Sequence, residues 1–149
     1  MSLSNAAEND LLLLLFQNAN WANLGDATGV RGATTAGSFF ISLHTADPAE
    51  TGNQSTNEAT YTGYARVAVA RSAGGWTVSG TAPTQVANAA VVTFGLCTAG
   101  TNTLTHFAIG RDTSGVGEIV ISGALTASLI VNPGITPSFA IGTLVATAD

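Results

Sequence analysis

The residues best suited to chemistry are His44 and Asp47, three positions apart in Leu43-His44-Thr45-Ala46-Asp47-Pro48, and His106. A histidine beside a carboxylate suits acid–base work or metal ligation. A hydrolytic zinc site needs three protein ligands together, and the chain has two histidines, 62 positions apart. No metal site is therefore expected. His44 should hydrogen-bond the Asp47-Pro48 turn, and His106 should lie on a half-buried strand face. Serines are plentiful, but no Gly-x-Ser-x-Gly elbow is present. Cys97 has no basic neighbour to lower its pKa, so a buried inert thiol is expected. The glycines of Gly25–Gly32 form no phosphate-binding pattern, and the chain contains no lysine. No catalytic residue and no cofactor are expected, and the chain reads as a non-enzyme.

Around these residues the hydrophobic period changes twice. Asn5 as N-cap and Glu8 three residues later predict a helix start, and Leu11–Phe16 supplies an apolar surface wider than one stripe. Such a helix needs a groove in its own domain or the surface of a neighbour. Leu24–Gly37 has no hydrophobic period and reads as a Gly/Thr-rich linker. Phe39–His44 then alternates as a strand. Ala49–Thr62 is a polar loop of unusual length, either functional or mobile. The rest predicts short strands over Tyr64–Arg71, Trp76–Ser79, Asn88–Phe94, Thr103–Ile109, Glu118–Ser122, Ala124–Val131 and Gly142–Thr147. Gly74-Gly75 is expected to close a hairpin between the first two of these. The expected fold is mainly β: an antiparallel β-sandwich or jelly-roll-like domain over 38–149, preceded by one short N-terminal α-helix. The helical arm is placed at 1–23 and the linker at 24–37.

Composition narrows the partners. The chain has 149 residues, nine Asp and Glu against four arginines, a net charge of −5, and only 9% charged residues. Phosphate neutralisation needs a dense basic patch, so no nucleic-acid partner is expected. The longest apolar run, Leu11–Phe16, is far short of the roughly 20 residues that span a bilayer. It also follows Glu8 and Asp10, unlike a secretory signal. A soluble, unanchored protein made in a reducing cytoplasm is expected. Surfaces that meet other proteins are depleted in charge, so assembly is expected too. The four arginines, without lysine beside them, suggest pairing with carboxylates.

Several segments together resemble a family of small tailed-bacteriophage virion structural proteins. They are Met1-Ser2-Leu3-Ser4-Asn5, Glu8-Asn9-Asp10-Leu11-Leu12, Ile41-Ser42-Leu43-His44-Thr45-Ala46-Asp47-Pro48, Tyr64-Ala65-Arg66-Val67, Leu104–Gly110 and Ser122–Thr126. The resemblance is colinear over nearly the whole chain. It implies a virion protein with no catalytic residues, labelled in the family either tail-fibre-like or head decoration. The reading preferred from sequence is a capsid decoration, or cement, protein on the outer head surface. Its expected partners are the major capsid protein and copies of itself, in a homo-oligomer. Leu11, Leu12, Leu14, Leu15, Phe16, Trp21 and Arg31 are its candidate contact residues. The alternative is a tail fibre or tail-tip subunit that contacts other tail proteins or a host surface receptor. That reading would place Tyr61, Tyr64 and Trp76 at the receptor site.

Overall fold

The structure, a computed structural model, describes residues 3–25, 29–81 and 83–148. It is mainly β, with antiparallel sheets and one N-terminal helix. Its elements are α1 (Asn5–Gln17), β1 (Ser38–His44), β2 (Val67–Ala70), β3 (Trp76–Ser79), β4 (Thr84–Asn88), β5 (Val92–Thr93), β6 (Asn102–Gly110), β7 (Ile119–Val131), β8 (Ser138–Phe139) and β9 (Val145–Ala148). The strands form sheets ordered β2-β1-β6-β7, β3-β4-β9 and β5-β8. The chain divides into two compact units. One comprises Met1–Ser38, Ala70–Val91 and Phe139–Asp149; the other comprises Phe39–Val69 and Val92–Ser138.

In the first unit, α1 starts one residue earlier than its sequence suggests. Ser4, not Asn5, is the N-cap: its backbone is extended and its Oγ accepts the Ala7 N–H at 3.3 Å. At the other end Asn18 takes a left-handed conformation (φ 56°), and the Ala19 N–H returns to the Leu13 carbonyl. Arg71 completes this terminus from a distance in sequence. Its guanidinium donates to the carbonyls of Leu14 and Leu15, where the helix dipole favours a cation.

The buried side of α1 meets the β3-β4-β9 sheet. Phe16 and Trp76, both fully buried, pack edge-to-face with ring centroids 4.8 Å apart. Gln17 Nε2 adds a hydrogen bond to the Trp76 carbonyl at 2.8 Å. The segment after the helix is held as well. Trp21 and Val30 exchange both backbone hydrogen bonds, and Asn18 both donates to and accepts from the backbone of Ala33. Residues 26–28 of the expected linker lie outside the described residues.

Three strand expectations need correction. Trp76–Ser79 does not form a hairpin with β2, because β2 pairs with β1 whereas β3 pairs with β4. Asn88–Phe94 is not one strand either. The Asn88 carboxamide bonds the Ala90 and Ala140 carbonyls and the Leu144 N–H, so the chain turns at Asn88. In the second unit, Glu118–Ser122 and Ala124–Val131 run together as β7 through Gly123. That glycine lies opposite Phe107, and a Cβ on it would stand 3.1 Å from the Phe107 ring. The close ring, not a turn, accounts for the glycine.

Candidate functional site

The functional candidates gather where the loops after β1 and β6 meet. β1 pairs with β6 so that His44 lies opposite His106 and Phe40 opposite Gly110. The loop from β1 then folds back along this sheet. The Gln54 N–H bonds the Gly117 carbonyl, and the Ala59 N–H bonds the Leu43 carbonyl. Gln54 is fully buried. Its Nε2 donates to the Phe40 carbonyl at 3.1 Å and its Oε1 accepts the Asp112 N–H at 3.0 Å. Nothing in a polar stretch with no hydrophobic period marks this glutamine as core. The signal lies elsewhere, in Gly110 and Gly117, where an added Cβ would run into its carboxamide.

Beside Gln54 is an ion pair. Arg66 grips Glu58 through Nε–Oε1 at 2.7 Å and Nη2–Oε2 at 2.8 Å. The arginine side chain is 2% exposed, the glutamate 17%. Arg66 also donates to the Asp112 and Gly115 carbonyls, so one cation ties the 49–62 loop to the 111–117 turn. The bond to Glu58 holds the Arg66 pKa above its ordinary value, against the opposing effect of burial. Tyr64 donates its hydroxyl to Glu58 Oε1 and accepts the Leu43 N–H. Burial, with Glu58 alongside, pushes the phenol pKa up. The cleft of about 280 Å³ beside this group has a floor whose polar atoms already bond one another.

Ser42 and His44 approach the form of a catalytic dyad. A carbonyl only accepts, so His44 Nδ1 donates to Thr56 O at 2.8 Å, and Nε2 therefore accepts from Ser42 Oγ at 2.9 Å. A nucleophile needs an open approach and a base oriented by a third group. Here both side chains are fully buried, and the third group is a neutral carbonyl. Burial holds the imidazole below its ordinary pKa, outweighing the Thr56 bond. His44 thus bonds Thr56 rather than the Asp47-Pro48 turn expected from sequence. His106 is half-buried, with Nδ1 2.9 Å from Thr105 Oγ1. Among the described residues no three His, Cys, Asp or Glu side chains are grouped to hold a metal, and no helix is long and apolar enough to cross a membrane. Cys97 is buried and free.

The contact residues suggested by sequence divide. Leu12 and Phe16 are buried against their own unit. Leu11, Leu14, Leu15 and Trp21 are half-buried, and Arg31 is exposed. Tyr61 and Trp76 are buried, so neither offers a ring face for stacking on a ligand. Tyr64 stacks on Phe94 and meets Tyr61 edge-on. The arginine expectation holds for Arg66 with Glu58 and for Arg111 with Glu118, the latter an exposed pair of little energetic weight.

Sequence reasoning passed over the margin of the four-stranded sheet. β7 is one of its two edge strands, carries no charge over 13 residues, and leaves Leu129 and Ile130 exposed. A cleft of about 360 Å³ runs between Ile119–Ser122 of β7 and the Asp47–Gly52 turn.

Compared with known protein families, residues 2–147 match the model of a family described as podophage GP4 fiber I protein gp80. No curated protein matches the chain.

Proposed function

The chain belongs to the family of the podophage GP4 fiber I protein gp80, and from that premise we propose that it is a fibre subunit that works by contact and not by catalysis. Membership makes it a structural protein of a phage virion. The observation that carries the fibre reading is the extent of the match, which spans both compact units. The sealed Ser42–His44 pair supports a non-enzymatic role, since a substrate has no path to the hydroxyl.

Head decoration, the preference drawn from sequence, rests in part on low charge, an over-apolar helix and expected assembly, which a fibre subunit shares. The family's description tips the balance to the fibre. The proposed partners are copies of the same chain and neighbouring virion proteins. Electron cryo-microscopy of intact particles tests the assignment. Ordered copies within fibres are expected. Copies arrayed over the capsid lattice, with none in a fibre, would return the protein to the head surface.

A further inference from the structure

A strand at the margin of a sheet presents unpaired N–H and C=O groups that invite another strand. Natural edges are blunted by lysine, proline or inward charge, and β7 has none of these. It is blunted over part of its length only. Between the pairs Leu104–Leu129 and His106–Ala124, the single residue Thr105 faces the four residues Leu125–Ser128, an irregularity that breaks the ladder there. A smaller irregularity falls at Val120, between the pairs Ile109–Ile121 and Gly110–Ile119. Between the two irregularities the ladder is unbroken over Ile121–Ala124, and Ile119 pairs with Gly110 just beyond the smaller one. The stretch left open is thus Ile119–Ala124 with a kink at Val120, about 20 Å of strand.

The cleft beside this stretch is built for one class of occupant. Ile119–Ser122 are consecutive strand residues whose side chains alternate in face, so the cleft takes in the strand's margin and not one face alone. Its opposite wall carries Asp47 and Glu50, both exposed. Asp47 Oδ1 accepts the Ala49 N–H, and among the described residues no cation is paired with either carboxylate.

A second copy of this chain cannot supply that cation on an extended segment from the described residues. Arg66 and Arg71 are bonded within their own units, and the Arg111 backbone N–H is already bonded to the Glu118 carbonyl at 3.1 Å, so it lies on no free extended segment. Arg31 is exposed, but the backbone of Val30, Gly32 and Ala33 around it is already hydrogen-bonded to Trp21, Asn20 and Asn18. We propose that the outer margin of β7 over Ile119–Ala124 accepts an extended segment of a different protein as an added strand, with a Lys or Arg of that segment reaching Asp47 and Glu50. Backbone bonds then supply the attachment and the two carboxylates its polarity and selectivity. The inference does not depend on whether the subunit sits in a fibre or on the head.

The test uses the full chain and two synthetic probes: a ten-residue peptide of alternating valine and threonine closed by two lysines, and the same peptide closed by two glutamates. Amide exchange across Ile119–Ala124 and the affinity of each peptide are measured, with Asp47→Asn/Glu50→Gln as the variant. The lysine peptide is expected to slow exchange in that stretch and to bind about fivefold more tightly than the glutamate peptide, a preference of the size two exposed ion pairs supply. The variant should erase the preference while leaving exchange along β1 and β6 unchanged. Absence of protection, equal affinity for both peptides, or a preference that survives in the variant would each overturn the proposal. So would protection of the same amides by concentration-dependent dimerisation of the chain alone, which would assign the margin to a second copy.

Discussion

Arg66 and Glu58 meet side-on through two parallel hydrogen bonds, and the same guanidinium reaches the carbonyls of Asp112 and Gly115. Two pieces of chain distant in sequence, around Glu58–Arg66 and around Asp112–Gly115, are therefore fixed by one planar group. Lysine, a single point charge, could not reproduce that fork.

Glu58→Gln is expected to destabilise the fold by about 3 kcal/mol, because it leaves a buried guanidinium without its counter-charge. Arg66→Lys should cost less but still be measurable. Urea denaturation checks both, with a lowered midpoint and an unchanged slope.

Gly110→Ala should destabilise by about 1–3 kcal/mol, since the new methyl overlaps the Gln54 carboxamide. Gln54→Ala alone should cost a similar amount by leaving the part-buried Phe40 carbonyl and Asp112 N–H without the glutamine carboxamide and by emptying its buried site. The double variant is expected to be more stable than the sum of the two losses. Additive losses in a double-mutant cycle would show that the two residues do not compete for one space.

These two sites show what the sequence made legible and what it hid. The helix and the first strand follow from local patterns such as Leu11–Phe16 and the alternation in Phe39–His44. Gln54 and Arg66 owe their roles to residues far away in sequence, and a polar side chain looks the same whether water or a carbonyl will satisfy it. Gly123 misled for a related reason: a glycine that makes room for a ring is indistinguishable, in one dimension, from a glycine that turns the chain. The margin of β7 was invisible because strand order is a property of the sheet, not of any one strand.

His44 should make stability depend on pH. Its folded pKa lies below the ordinary value of 6.5, so below about pH 6.5 the unfolded chain binds a proton that the folded chain refuses. Stability is expected to fall as the pH drops through that region, by at most about 1.4 kcal/mol per pH unit from this group, until the folded state also protonates. His44→Gln should remove this contribution, and above pH 7.5 wild-type and variant curves should run parallel. Denaturation midpoints from pH 5 to 8 decide the matter. Curves that stay parallel throughout would mean that His44 does not titrate differently on folding.

Phe16→Ala is expected to cost about 3–5 kcal/mol, the range for emptying a buried aromatic site. Arg71→Ala should instead act locally, freeing the last turn of α1 by leaving the Leu14 and Leu15 carbonyls without their donor. Amide exchange over Asn5–Gln17 should accelerate, with exchange in the β6–β7 ladder unchanged. An Arg71 variant that exchanges at the wild-type rate throughout would show that the helix end is held by other contacts.

The position of β4 also constrains the order in which the protein can take shape on the ribosome. β4 is the middle strand of its sheet, and its partner β9 is made only after the whole of the Val92–Ser138 segment has been translated. During synthesis the second unit can close once Ser138 has emerged. The first unit, although most of its segments are translated earlier, must wait with one flank of β4 unpaired until Val145–Ala148 follows. Slow translation between those two points would therefore prolong a half-made sheet, and the nascent chain would be most prone to aggregation there.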